Sequence, residues 1–456
     1  MISIPLSEYN ELKTLVVTLS DIAKKQEEEN KRLQEQINLL RNGRKSNTSS
    51  TPPSHDIGRS NSKNLRIKTG RKSGGQHGHK GVTLEMKEEP DEVIDYKPDY
   101  CHNCGTDLQQ VDSEITDRKQ EVVIPPIQVQ YLEHRSHTKK CPICGTCCIG
   151  CLPDHLKAPI QYGASVSAMA AYFSVYQYLP YKRMAGLFRD IFSMPISEGS
   201  IDNLLGRSAQ KALSVYEIIR QKIQGSKVVG GDETGCAVGG KKGWFHTWQN
   251  DKLTFIAASL NRGYKTIETY FKDGFVKAVY VSDCWAAQLK TPALRHQLCI
   301  AHLLRELTNF EDALFCAWSK EMKQLLQDAI VLKKQLSIAD YNATPLSVVQ
   351  LETRLANLLQ QDYTTCHRKV QAFIKRLIKN KESIFTFLYY HDVPPDNNGS
   401  ERAIRNVKVK TKVSGQFRTE KGANRFAILR SVIDTTIKNS QNVFQALVAL
   451  EHLVPT

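Results

Sequence analysis

Two short apolar runs that each end in a carboxylate constrain the fold more than any other feature of the sequence. The runs Lys227-Val-Val-Gly-Gly-Asp232 and Lys277-Ala-Val-Tyr-Val-Ser-Asp283 are typical of buried strands, and alternating segments at 243–249 and 253–260 lie between them. Strands that end in acids bring oxygen ligands to one edge of a sheet. The pattern therefore predicts an α/β core with Asp232 and Asp283 close together, although an Asp at a strand end is often only a turn former.

A third acid lies far downstream, at the start of a predicted helix. Asn397-Asn-Gly-Ser-Glu401-Arg402 opens that helix, and Ser400 or Asn398 is the expected cap. Carboxylates held together repel one another, and divalent cations such as Mg²⁺ or Mn²⁺ relieve that repulsion while keeping positions for water and phosphate. A simpler interpretation makes Glu401 an ordinary helix acid that interacts with the dipole.

The helix that follows Glu401 is strongly basic, in a chain whose net charge is +15. A cationic surface beside an acidic metal site favours a polyanionic partner, and we predict double-stranded DNA. The candidate contacts in this helix are Arg402, Arg405, Lys408 and Lys412.

The N-terminal segment, residues 1–42, shows a heptad pattern typical of a coiled coil. The predicted seam consists of residues spaced alternately three and four apart: Tyr9, Leu12, Val16, Leu19, Ala23, Gln26, Asn30, Leu33, Ile37 and Leu40. It predicts a homo-oligomer, at least a dimer, with a single amphipathic helix as the alternative. Residues 43–85 then form a basic, glycine-rich linker, in which Arg71, Lys72 and Lys80 are candidate DNA contacts.

Most of the twelve cysteines cluster in residues 86–155. Two CxxC knuckles, each followed by glycine, predict a structural zinc site whose ligands are Cys101, Cys104, Cys141 and Cys144. Other residues of the segment could replace one ligand: His134, His137, Cys147, Cys148 and Cys151. The spacer at 121–132 is predicted to be rich in strand. CxxC knuckles form closed sites, which argues against a zinc hydrolase.

The remaining boundaries follow from helical periodicity. Residues 156–225 are predicted to be a helical, possibly helix-turn-helix, DNA-binding domain, with an apolar helix at 164–178. Residues 226–456 form the predicted catalytic domain, with a helical insertion at about 303–395. The chain lacks an apolar run of about 18 residues and a signal-like N-terminus, so we expect a cytoplasmic protein without a membrane partner.

Several motifs together resemble the IS66 family of bacterial insertion-sequence transposases along nearly the whole chain. They are Gly70-Arg-Lys-Ser-Gly-Gly-Gln-His-Gly-His-Lys-Gly81, the two CxxC knuckles, Asp232-Glu-Thr, Ser282-Asp283, Leu298-Cys299-Ile-Ala-His302-Leu-Leu-Arg305, Asn398-Gly-Ser-Glu401-Arg-Ala-Ile-Arg405, Phe417-Arg-Thr-Glu-Lys-Gly422-Ala and Ile433-Asp-Thr-Thr436. Ser73, His77 and Ile300 depart from the family pattern, which has proline at the first two positions and tryptophan at the third.

The resemblance implies a multidomain DDE transposase with an RNase H-like mixed sheet. Asp232, Asp283 and Glu401 would be its catalytic triad and hold two Mg²⁺ ions for end cleavage and strand transfer into target DNA. Cys299 and His302 would support the site, the alternative being metal ligation. The resemblance also implies a bacterial, nucleoid-associated protein with possible accessory proteins from the same element. The rival interpretations are a catalytically inactive repressor and an RNase H-like nuclease without strand transfer.

Overall fold

The computed structural model describes residues 5–42, 78 and 83–454. It begins with one long helix, α1 (Leu6–Asn42). The side chains of Leu12, Val16, Leu19, Leu33 and Ile37, all on the predicted seam, are each at least 42% exposed. None of the helices in the described residues combines the length and apolar character that crossing a membrane requires.

Seven strands and thirteen further helices follow in the described part of the chain. In chain order they are β1 (Thr138–Lys140), β2 (Cys147–Ile149), α2 (Ala164–Ala171), α3 (Tyr181–Phe192), α4 (Glu198–Lys211), α5 (Leu213–Gln224), β3 (Val228–Val238), β4 (Lys241–Gln249), β5 (Thr254–Ser259), α6 (Tyr264–Tyr270), β6 (Phe275–Ser282), α7 (Ala286–Lys290), β7 (Ala293–Leu298), α8 (Ile300–Leu314), α9 (Ala317–Gln335), α10 (Leu346–Gln360), α11 (Arg368–Lys379), α12 (Asn398–Ser414), α13 (Glu420–Lys438) and α14 (Val443–Glu451).

The central element is a five-stranded mixed sheet in the order β5-β4-β3-β6-β7. Strands β3, β4 and β5 pair antiparallel, whereas β6 lies parallel to both β3 and β7. The mixed α/β architecture predicted for the core is confirmed. Helices α8 to α11 lie in sequence between β7 and α12, where the helical insertion was predicted.

Each face of the sheet belongs to a different hydrophobic cluster. Along β6, Ala278 and Tyr280 join the cluster formed with α2 to α5, α13 and α14, and Val279 and Val281 join the cluster formed with α8 to α11. This alternation follows from the two-residue period of a strand. The sheet is therefore covered on both faces, and functional side chains are confined to its edge.

Three local predictions were wrong. The spacer at 121–132 contains no strand, since its apolar residues have no partner strand: Val122, Val123 and Ile124 are exposed, and Val129 packs against the core without forming a strand. The predicted apolar helix at 164–178 is α-helical only to Ala171 and continues as a π-helix over Tyr172–Tyr176. Strand β3 does not end at Asp232 but continues to Val238, because β4 supplies a long antiparallel partner.

Candidate functional site

The strand register places Asp232 and Asp283 side by side. Strands β3 and β6 pair in parallel as far as Gly230 and Val281, and each acid lies two residues beyond that last pair. Beyond this point β6 no longer pairs with β3, which continues beside β4 and forms an isolated bridge from Val238 to Phe417. The Asp283 Oδ1 atom accepts a hydrogen bond from the Trp285 backbone N–H at 2.9 Å, which orients the carboxylate.

The carboxylates interact electrostatically. Burial raises the pKa of Asp232 well above its usual value, and the negative charges of Asp283, Glu233 and Glu401 raise it further. Burial and Asp283 also raise the pKa of Glu233. Acids concentrated in one place form an environment in which a divalent ion gains binding energy.

Helix α12 carries Glu401 in its first turn, and the preceding loop fixes that helix to the sheet. The Ile300 N–H donates to the Pro395 carbonyl at 2.9 Å. The buried Asn397 side chain donates from Nδ2 to the Gly231 carbonyl at 2.6 Å. The predicted caps were wrong: Asn397 is the N-cap residue, and Ser400 donates its hydroxyl to Asn397 Oδ1 at 2.7 Å.

Glycine permits this close approach of α12 to β3. A Cβ atom at Gly230 would lie 2.6 Å from Asn397 Oδ1, and one at Gly399 would lie 2.5 Å from Gln249 Nε2. At Gly231 a Cβ atom would lie 2.0 Å from the Tyr280 hydroxyl. Gly230 and Gly399 therefore permit α12 to approach the sheet, and Gly231 permits Tyr280 of β6 to pack against β3.

Glu401 is paired with a cation from α8. Arg305 Nη2 lies 2.8 Å from Glu401 Oε1 and 3.2 Å from Oε2. His302 Nε2 lies 3.8 Å from the same carboxylate, while burial and the nearby Arg305 lower the pKa of the imidazole. In this structure Glu401 thus faces Arg305 and a neutral histidine.

Cys299 and His302 occupy different positions relative to the acids. The buried Cys299 Sγ accepts a hydrogen bond from the Asn397 N–H at 3.2 Å, and burial raises the pKa of its thiol to about 12. Through this hydrogen bond the thiol helps to hold the loop before Glu401. The Nδ1 atom of His302 is buried without a hydrogen-bond partner.

The basic residues of α12 form one exposed surface. Glu401, Arg405, Lys408 and Lys412 follow one another at intervals of four, three and four residues and so share a helix face. Arg402, Arg405, Lys408 and Lys412 are all exposed, and within residues 83–454 none of them forms an ion pair with an acid. The face beginning at Glu401 is therefore an uncompensated cationic strip.

The two cysteine knuckles adopt the same turn. Gly105 N–H donates to the Cys101 carbonyl at 2.8 Å and Gly145 N–H donates to the Cys141 carbonyl at 3.0 Å, both glycines having positive φ. A hydrogen bond with the Thr106 side chain lowers the pKa of the Cys104 thiol to about 7, and Thr146 does the same for Cys144. The hydrogen bonds within each knuckle therefore favour the thiolate form of Cys104 and of Cys144.

The described residues contain no group of three or more His, Cys, Asp or Glu side chains arranged to hold a metal ion. The two knuckles are not brought into one four-thiol group, and Glu401 is turned to Arg305. The acidic donors nevertheless fit a divalent cation in chemistry, as the like-charge interactions around Asp232 show. The predicted contacts Arg71, Lys72 and Lys80 lie outside the described residues.

Four residues that touch the acids were not predicted from the sequence. Arg305 pairs with Glu401, Arg262 and Gln288 hold Glu233, and the charge of Arg376 interacts with Asp283. Arg305 lies three residues after His302 of the Cys299-x-x-His302 motif, and this spacing could have identified it from the sequence. Arg262 and Arg376 lie in a loop and in the insertion, and nothing local marks them.

No protein in a comparison with curated proteins matches this chain. The sequence pattern described as "Transposase IS66 family" matches residues 159–425, from the segment before α2 to within α13, and thus includes Asp232, Asp283 and Glu401. That match covers more than half of the chain and includes the whole mixed sheet. The chain therefore belongs to the IS66 family of transposases.

Proposed function

We propose that this protein is a DDE transposase that binds the ends of its insertion sequence, cleaves them and joins them to target DNA. The proposal is supported by the approach of Asp283 and Glu401, which come from distant segments, to Asp232, whose pKa both of their charges raise. The parallel register aligns Asp232 with Asp283, and the Asn397 anchor brings the first turn of α12, with Glu401, toward them. An RNase H-like assignment of the five-stranded sheet accords with this arrangement.

When bound at these carboxylates, a pair of Mg²⁺ or Mn²⁺ ions would activate the attacking oxygen and stabilise the leaving 3′ oxygen. Asp232 and Asp283 would hold ions from the sheet edge, and Glu401 would join them after releasing Arg305. The freed Arg305 guanidinium would then lie beside the site, where a phosphate oxygen can replace the carboxylate as its acceptor. Cys299 and His302 would keep the loop and Glu401 in place.

The cationic face of α12 would bind DNA on either side of the scissile phosphate. Arg405, Lys408 and Lys412 share the helix face of Glu401, so backbone contacts and the proposed chemistry lie on one continuous surface. Phosphate contacts of this kind position the duplex without reading its sequence. Arg71, Lys72 and Lys80 would add further contacts from the linker.

The N-terminal segments would hold together the complex that the protein forms with the two ends of its insertion sequence. The exposed apolar residues along α1 support pairing with a second copy of the chain, giving at least a dimer. Cys101, Cys104, Cys141 and Cys144 would bind one structural Zn²⁺ ion, which would draw the two knuckles together. We propose a bacterial, cytoplasmic and nucleoid-associated setting, with accessory proteins of the same element as further partners.

Two other functions share most of these features. A repressor derived from a transposase would bind the ends without cutting them, and a nuclease would cut without joining. The close approach of α12 to Gly230 of β3 favours a catalytic protein, because binding alone gives no reason to bring Glu401 toward the other two acids.

A cleavage and strand-transfer assay on DNA carrying the element's own ends tests the proposal. Product that requires Mg²⁺ is expected with the wild type and with Asp328→Asn, a change in a partly exposed acid of the insertion. The Asp283→Asn variant should yield no product while it retains end binding. Cleavage without joined product would favour the nuclease, and binding without cleavage, even after accessory proteins are added, would favour the repressor.

The zinc proposal has its own measurement. Metal analysis of the purified protein should find about one zinc per chain, and Cys104→Ser should lower that content. Cys236→Ser, a change in a cysteine on β3 outside the knuckles, is the matched control. Equal zinc content in all three proteins would refute the proposed ligand set.

A further inference from the structure

Next to Asp232 lies a fourth carboxylate whose oxygens are both already occupied. The Glu233 side chain is 1% exposed. Its Oε1 atom accepts hydrogen bonds from Arg262 Nε at 3.1 Å and Nη2 at 3.0 Å, and its Oε2 atom accepts one from Gln288 Nε2 at 2.7 Å. Glu233 is therefore held as an acceptor for protein donors.

Arg262, the partner of Glu233, lies between two tryptophans. It belongs to the loop between β5 and α6. Its guanidinium carbon lies 3.8 Å from the ring centroid of Trp285 and 4.8 Å from that of Trp244. A planar guanidinium can stack on an aromatic ring and donate in its own plane to a carboxylate at the same time, which an ammonium group cannot do.

The stacked ring belongs to the residue that holds Asp283. The Trp285 N–H donates to Asp283 Oδ1 at 2.9 Å, and the Trp285 Nε1 atom is buried without a hydrogen-bond partner. The ring is thus fixed by packing against Arg262 and not by a hydrogen bond of its own. Helix α7, which follows directly, supplies Gln288, so Glu233 holds this loop through two separate contacts.

We infer that Glu233 and Arg262 are positioning residues for Asp283: the ion pair fixes the loop that carries this acid. The inference rests on the proposed function, because it concerns the carboxylate assigned there to metal binding. Glu233 would act on the metal only through Arg262, Gln288 and Trp285. The second residue of Asp232-Glu-Thr then has a role distinct from that of the first.

The test is metal affinity, measured as free Mn²⁺ by electron paramagnetic resonance with the full-length chain. The variants are Arg262→Lys, which keeps the charge but loses the planar fork, and Glu233→Gln, which loses one acceptor. Changes in residues that support metal ligands cost about 10- to 100-fold in affinity or activity, and we expect a loss of that size in both variants. Arg354→Lys, in a partly exposed ion pair of the insertion, should bind Mn²⁺ as the wild type does.

Two further readouts separate positioning from a general loss of stability. The cleavage rate at saturating DNA should fall in Arg262→Lys while the dissociation constant for DNA stays unchanged, because Arg262 is not on the α12 face. The double variant Glu233→Gln/Arg262→Lys should bind Mn²⁺ no more weakly than the single variant with the lower affinity, because the two residues act as one unit. Urea unfolding of each variant shows whether the folded state persists.

The outcomes distinguish this inference from the proposed function. If Arg262→Lys and Glu233→Gln bind Mn²⁺ like the wild type while Asp283→Asn does not, the positioning role is refuted and the metal site stands. If Asp283→Asn also binds Mn²⁺ like the wild type, the proposed metal site is refuted and the positioning role with it. Additive losses in the double variant would likewise contradict the single-unit arrangement.

Discussion

Arg305 Nη2 and Glu401 Oε1 lie 2.8 Å apart, although the two residues are 96 positions apart in the sequence. The pair is partly shielded, with the Arg305 and Glu401 side chains 29% and 21% exposed. The guanidinium takes the place at Glu401 that the proposed function gives to a divalent ion. Under the proposed function, the metal and the arginine would therefore compete for one carboxylate.

Removing that competitor should tighten metal binding. An ion pair of this exposure is worth about 1 kcal/mol or less, which corresponds to a factor of about five or less. We expect Arg305→Met to lower the apparent dissociation constant for Mn²⁺ by such a factor, with Arg354→Met unchanged. Weaker Mn²⁺ binding in Arg305→Met would mean that the arginine holds Glu401 in place for the metal instead of competing with it.

The Asn397 side chain should be essential for the position of α12. Asn397→Ala leaves the Gly231 carbonyl without its donor, and an unsatisfied buried group costs about 1–3 kcal/mol. We expect a lower free energy of unfolding by that amount in urea and a loss of cleavage. Asn398→Ala, at an exposed neighbouring position, is the control. Equal stability of the two variants would show that the bond to Gly231 does not anchor the helix.

The glycine before Asp232 should not tolerate a methyl group. In Gly231→Ala the new Cβ atom meets the Tyr280 hydroxyl, and overpacking of this kind costs about 1–3 kcal/mol. Gly235→Ala, on the same strand, places its Cβ atom 3.4 Å from the Trp244 ring, an ordinary contact. Thermal unfolding should separate the two variants. A Gly231→Ala protein as stable as Gly235→Ala would contradict the close packing of β3 against Tyr280.

The α12 face should control the salt dependence of DNA binding. Each phosphate contact contributes about 0.9 to the slope of log affinity against log salt concentration. We expect Lys408→Gln to reduce the magnitude of that slope by about 0.9, the value of one phosphate contact, and to lower the affinity by the same factor for all DNA sequences. Lys369→Gln, exposed at the start of α11, should leave the slope unchanged. Equal slopes for Lys408→Gln and the wild type would mean that Lys408 does not contact a DNA phosphate.

The stability of the fold should decline in mild acid because of His246. Burial lowers the pKa of this β4 side chain from 6.5 to about 4. The unfolded chain therefore binds a proton that the folded chain does not, and stability falls as the pH drops from 6.5 to about 4. Urea unfolding at several pH values should show this decrease in the free energy of unfolding in the wild type and a smaller decrease in His246→Gln. The same pH dependence of the free energy of unfolding in both proteins would rule out His246 as its cause.

The strands and the identity of the acids could be predicted locally. The apolar runs before Asp232 and Asp283 have the composition of buried strands, and both form strands in the sheet. The boundaries were less predictable, since β3 extends past Asp232 only because β4 lies beside it. The spacer at 121–132 shows the opposite case, in which suitable strand residues find no partner.

The sequence by itself determined the strands that contain or precede Asp232 and Asp283 and the helix that carries Glu401, because the period of apolar residues and the residue types at turns are local properties. Only the tertiary structure decided the charge environment of those carboxylates. Arg305 reaches Glu401 from another helix, and Arg262 reaches Glu233 from a loop beyond β5. Such pairs depend on the register of β3 against β6 and on the packing of α12 against two glycines, which no local pattern encodes.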